Sequence, residues 1–185
     1  MRESEYSIPA QRSEAHCKLA DAASQLLREC IRCKARTQPQ PWNQRSQGSY
    51  IVFLDADDRL LPEAIKMGLD VLQARPERAM TIGDHVFVCE DGSYLARSRK
   101  EFRGSFHYEA LLISNFNEMI SSVLFRLSVF EAVGGFNTRL RVAEDYELYL
   151  RITRDFPVCC HTSVVAESRN TGNTNPTFRI IQNSC

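Results

Sequence analysis

The sequence predicts an α/β domain, with strands and helices alternating along the chain. Three observations carry the prediction. Short apolar runs such as Tyr50–Leu54 take turns with segments whose apolar residues recur at helical spacing, such as Ile65, Leu69 and Leu72. Acids gather where elements change type: Asp55, Asp57 and Asp58 close the run at 50–54, and Glu144–Asp145 open a later helix. Ligands of open α/β sheets bind beyond the carboxyl ends of strands, in the loops. Finally, 43% hydrophobic and 25% charged residues in a chain of 185 suit one soluble domain with its own core.

The elements follow in order. Residues 13–35 read as a helix, with Ser13 as its cap and Leu19, Ala22, Ala23, Leu26, Leu27, Cys30 and Ile31 as its apolar stripe. Residues 37–48 are polar and broken by Pro39 and Pro41, a loop that sets a boundary near residue 48. Residues 50–54 read as a buried strand. Pro62 opens the next helix, with Glu63 suiting its dipole, and Pro76 ends it. Residues 79–89 are strand-like, and Glu90–Ser93 signals a hairpin into Tyr94–Leu95. A short helix is expected over 107–114 and a strand over 120–126. Ser128 is placed to cap a helix that stops at Gly134–Gly135. After a loop, residues 143–155 form a helix with Leu148, Ile152 and Phe156 on one side, and Pro157 breaks it. Residues 158–166 are strand-like, and the chain is polar and irregular from Ser168.

Charge and hydropathy exclude several classes. Lys+Arg and Asp+Glu balance at 23 each, with no basic stripe for nucleic acid. No apolar run approaches the roughly 20 residues of a membrane span. Met1–Glu5 is polar and acidic, unlike a signal peptide, so a cytoplasmic protein is expected. The seven cysteines are accordingly expected as reduced thiols. Cys30 and Cys33, with Cys159, Cys160 and His161, could supply four zinc ligands. A lone CxxC has no fixed partner spacing, however, and buried free cysteine is commonly a small hydrophobe.

The acid clusters carry the chemistry. Aspartate is a poor strand residue and neighbouring carboxylates repel. One helix cap needs one acid, whereas Asp55, Asp57 and Asp58 make three. Their simplest use is to hold a divalent cation through hard oxygen ligands, and through it a phosphate. Asp58 has a second reading as a cap for the helix after Pro62. Glu144 and Asp145 have one as acids suited to a helix N-terminus.

Residues 50–64, Tyr-Ile-Val-Phe-Leu-Asp-Ala-Asp-Asp-Arg-Leu-Leu-Pro-Glu-Ala, resemble the DXD region of family 2 glycosyltransferases with the GT-A fold. Val123–Arg126 followed by Val129–Asn137, with its Gly-Gly-Phe, is similar to the family's next landmark, and Ala143–Arg151 to its ED motif. The resemblance covers roughly residues 48–170, between a divergent segment 1–47 and a polar tail 171–185.

The resemblance implies a GT-A-like (Rossmann-like) mixed sheet flanked by helices, with an N-terminal helical segment. It implies transfer of a sugar from a nucleotide-diphosphate sugar to an acceptor hydroxyl, with inversion and with Mg²⁺ or Mn²⁺. Asp57 matches the acid that touches the metal, and Asp55 the acid near the donor ribose and the metal. Asp58 is read as a helper or a cap. Asp145 matches the catalytic base, with Glu144 as acceptor contact or orienter. Ser121 and Ser122 lie near the acceptor side or are plain buried serines. The family's earlier nucleotide-binding strands are not legible before Tyr50, and Asn43–Gly48 keeps only a trace of the stretch before its DXD strand. Ser168, Asn170 and Thr171 stand where its tail often carries Tyr and His. The chain is therefore expected to lack much of the nucleotide-binding half, with weak or no activity alone. The alternative is a non-catalytic binding or interaction module whose open sheet edge pairs with another chain, such as a second copy.

Overall fold

The computed structural model describes residues 48–55, 58–89, 91–98 and 107–169. The helix expected over 13–35, the loop after it and the tail beyond Arg169 lie outside them. The described strands are β1 (Tyr50–Ile51), β2 (Asp58–Leu60), β3 (Met80–Val88), β4 (Tyr94–Arg97), β5 (Val123–Arg126) and β6 (Cys159–Arg169). The helices are α1 (Ala64–Gln73), α2 (His107–Ile113), α3 (Leu127–Val133) and α4 (Glu144–Asp155). The sheet order is β1-β5-β3-β6-β2, with β4 also on β3. β3 and β6 run parallel and the other ladders are antiparallel, so the sheet is mixed, as expected.

β3 is the central strand, and all nine of its residues are buried. Burial on both faces explains why Met80–Val88 lacks apolar alternation. Asp84 is tolerated there because Arg97 on β4 donates to its Oδ2 from Nε at 3.1 Å and Nη2 at 2.7 Å. Arg97 also donates to the Thr162 carbonyl. The β3–β4 hairpin closes as predicted, with Gly92 at a φ of 85° that favours glycine.

Four expectations change in detail. The strand read over 50–54 forms a ladder only at Tyr50–Ile51, and Val52–Asp55 run on without one. The start of the strand expected from residue 120 is a 3₁₀ turn, Ile120–Ser122, so β5 offers β1 only the pairs Tyr50↔Arg126 and Ile51↔Phe125. β2, unforeseen, pairs with β6 from Asp58↔Ser168 to Leu60↔Ala166 and so carries β6 on to Arg169. Ser128 caps nothing: α3 begins at Leu127, and Arg126 stands at its cap position with no side-chain bond. The stop is as read, since Gly134 adopts a φ of 75°.

α1 buries Ala64, Gly68 and Leu72 rather than the stripe through Ile65 and Leu69. A Cβ on Gly68 would lie 2.8 Å from Leu124 Cδ2, so the missing side chain lets the helix approach β5 closely. The main core lies between the sheet and α3 and α4. Phe53 is at its centre, edge-on to Phe125, Phe130 and Phe136 at 5.8, 5.8 and 4.8 Å between ring centroids. This aromatic anchor fixes the chain two residues before Asp55.

Candidate active site

One buried serine, Ser121, touches both described ends of the acid turn. The Asp55 N–H donates to Ser121 Oγ at 3.3 Å, and the Ser121 hydroxyl donates to Asp58 Oδ2 at 2.5 Å. The Asp58 N–H donates to the Asp55 carbonyl at 3.2 Å, drawing these two residues together. Asp55 is exposed and Asp58 half-buried. Asp57 lies outside the described residues. The reading of Asp58 as a helix cap does not hold. It starts β2, while Glu63 stands at the cap position of α1 with no side-chain cap bond.

Glu144 and Asp145 are the first two residues of α4, as predicted. The chain enters the helix through Ala143, whose φ of 59° and ψ of 27° place it in the left-handed region. Ala143 is the only non-glycine with positive φ among the described residues, and such strain persists where the surrounding structure holds it. The Tyr146 N–H donates to Asp145 Oδ1 at 2.8 Å. Burial is the main cause that raises the Asp145 carboxyl above its ordinary range, with the negative charges of Glu144 and then Asp55 adding to it. The charge of Asp55 thus reaches Asp145 across 90 residues of sequence.

Beneath them sits a polar network that sequence reasoning missed. Tyr149 lies one turn after Asp145 and is fully buried. Burial, then the charge of Asp145, pushes its phenol well above the ordinary value, so it is protonated at neutral pH. Asn117 Nδ2 donates to the Tyr149 hydroxyl at 3.0 Å and to the Met119 carbonyl at 3.1 Å. The Ser122 hydroxyl is shared between the Met119 carbonyl at 2.7 Å and Asn117 Oδ1 at 3.0 Å. Ser121 thus faces the acid turn and its neighbour Ser122 faces the network under the acid pair. The Ser-Ser pair was a legible signal; Asn117 was not. On the opposite side of α4, Arg151 ties the helix to Val133 and Gly135 through their carbonyls, at 2.5 and 2.7 Å.

A small crevice of about 10 Å³, room for a single water, is lined by Ser121, Ser122, Thr81 and His161 among apolar residues. The donor atoms of the acid turn are carboxylate oxygens, the ligand type that suits Mg²⁺ or Mn²⁺. Asp55 and Asp58 fit such an ion by chemistry, although no group of three or more His, Cys, Asp or Glu converges among the described residues. The zinc arrangement gains nothing: Cys159 and Cys160 form no disulfide, and Cys30 and Cys33 lie outside the described residues. Cys89 is disulfide-bonded, against the expectation of reduced thiols, which rested on compartment and not on geometry. No described helix is long and apolar enough to cross a membrane.

A mixed α/β sheet flanked by helices is an architecture of GT-A type, and the comparisons agree. The family described as "Glycosyl transferase family group 2" matches residues 50–179, and the chain belongs to it. An "uncharacterized glycosyltransferase" of Haemophilus influenzae is 27% identical over 114 residues, covering 60% of this chain and 37% of that protein. The uncharacterized protein y4gI of Sinorhizobium fredii is 27% identical over 106 residues, covering 57% of this chain and 11% of that protein. In fold, the chain is similar to S. aureus TarS 1–349 in complex with UDP-GlcNAc, with a TM-score of 0.54 and 13% identity, covering 77% of this chain and 39% of that one. The complex of the same TarS fragment with UDP gives a TM-score of 0.50, with 15% identity over 69% of this chain and 38% of that one. The chain thus spans well under half the length of each of these proteins.

Proposed function

We propose that this chain carries the cation-binding and base-bearing part of an inverting glycosyltransferase that takes a nucleotide-diphosphate sugar as donor. The observation that carries this reading is the link from Asp55 to Ser121 and from Ser122 through Asn117 to Tyr149, one turn after Asp145. An acceptor hydroxyl beside Asp145 gives its proton to the carboxylate, and its oxygen bonds to the anomeric carbon from the face opposite the leaving group. The bond from that carbon to the diphosphate breaks, and the electron pair leaves on the phosphate oxygen. The buried setting of Asp145 favours the protonated form and so strengthens the base. Glu144 contacts the acceptor or orients Asp145. Asp55 and Asp57 hold Mg²⁺ or Mn²⁺, with Asp58 positioned beside them. The cation supplies charge stabilisation to the leaving diphosphate.

The test is titration of the full chain with UDP- and GDP-sugars in the presence of Mn²⁺, following thermal stability and sugar transfer or hydrolysis. Binding that is lost in Asp57→Ala, and turnover that is lost in Asp145→Asn with binding kept, are the expected results. Turnover unchanged in Asp145→Asn would rule out its role as base.

The short β1 ladder favours a second reading, an interaction module that pairs through the sheet edge. A strictly monomeric protein across a wide concentration range removes it.

A further inference from the structure

The segment Asn117–Ser122 touches both halves of the site, and its contacts have a directional logic. Ser121 has one hydroxyl proton, which it commits to Asp58, and a lone pair, which takes the Asp55 N–H. It is 1% exposed, so water does not compete for either contact. One residue on, Ser122 turns the other way and holds Asn117, which in turn holds the Tyr149 hydroxyl. Tyr149 stands four residues after Asp145 on the same face of α4.

We propose that Asn117–Ser122 is a positioning strut: Ser121 sets the shape of the acid turn, and Asn117, through Tyr149, sets the placement of Asp145 above it. The proposal rests on the functional reading above, in which the acid turn serves the donor and Asp145 the acceptor. Each end of the strut therefore controls a different kinetic quantity. Removing the Ser121 hydroxyl loosens the turn that meets donor and cation. Removing the Tyr149 hydroxyl frees one Asn117 donor and lets the first turn of α4 shift, which disturbs the base and leaves the donor contacts in place.

The experiment uses the full chain and its Ser121→Ala and Tyr149→Phe variants, with Mn²⁺ and UDP- and GDP-sugars as probes. Amide hydrogen exchange reads the structure, and steady-state kinetics read the function. In Ser121→Ala, the Asp55 and Asp58 amides should exchange faster while α4 stays protected. Donor KM should rise about tenfold, the usual cost of a hydrogen bond to a charged group, with kcat changed little. In Tyr149→Phe, kcat should fall about tenfold at unchanged donor KM. Unchanged exchange at Asp55 and Asp58 in Ser121→Ala overturns the strut. The same kinetic pattern in both variants overturns it too, because a merely structural role produces no split between donor KM and kcat. A parent chain that neither binds nor turns over any donor refutes the functional reading and the strut together. An active parent with kinetically silent variants refutes the strut alone.

Discussion

Truncating Arg151 should weaken the fold more than any other change to an ionic side chain on α4. The guanidinium donates to both Glu147 oxygens, from Nε at 2.6 Å and Nη2 at 2.7 Å, and to the Val133 and Gly135 carbonyls. Its side chain is 24% exposed and that of Glu147 29%. An exposed pair at this helical spacing contributes only about 0.3–0.5 kcal/mol. The two carbonyls matter more, since a hydrogen bond to a charged donor contributes about 1.5–3 kcal/mol and an abandoned carbonyl loses its partner. With partial exposure discounted, Arg151→Ala should cost about 3 kcal/mol. With a urea m-value of about 2 kcal/mol/M, the unfolding midpoint should drop by about 1.5 M. Arg151→Lys keeps the charge without the planar fork and should lose roughly half as much. Glu147→Ala leaves both carbonyl bonds intact and should cost under about 1 kcal/mol. Urea unfolding followed by circular dichroism measures all three. If Glu147→Ala costs as much as Arg151→Ala, the ion pair dominates and the carbonyl argument is refuted.

Two further perturbations follow from packing and charge. A Cβ on Gly83 would lie 2.6 and 2.8 Å from the two methyls of Val165, so Gly83→Ala should destabilise by about 1–3 kcal/mol, and adding Val165→Ala should restore much of the loss in a thermal melt. Burial raises the Asp145 carboxyl, so the folded state binds a proton more tightly than the unfolded chain. Its contribution to stability is therefore lost as pH rises from the ordinary carboxylate range through the raised value. Asp145→Asn should flatten that slope in urea midpoints measured from pH 4 to pH 8, and an unaltered slope contradicts the sign.

The sequence made some of this legible and hid the rest for physical reasons. Elements with a sharp terminator were placed well: Gly134 stops α3, Pro157 follows α4, and the acid pair opens α4 as read. Elements defined by their neighbours were not. Asp58–Leu60 has no strand pattern and becomes one only because β6 runs beside it. Val52–Leu54 has a strand pattern and forms no ladder, because β5 gives way to a 3₁₀ turn at that level. The buried face of α1 turned toward Gly68, since close approach to Leu124 outweighed the apolar stripe. At the site, Asp55, Asp58, Glu144 and Asp145 were all named from sequence. Their placement by Ser121 and Asn117 was not, because a hydrogen bond spanning 66 residues leaves no local spacing to read.

The described hydrogen bonds that run from Asp55 through Ser121 and from Ser122 through Asn117 to Tyr149 join the turn after β1 to α4. One short stretch of chain, Asn117–Ser122, therefore touches both ends of the candidate site. A single substitution in that stretch would thus be felt at two places 90 residues apart in sequence, which no local reading of either acid cluster would lead one to expect.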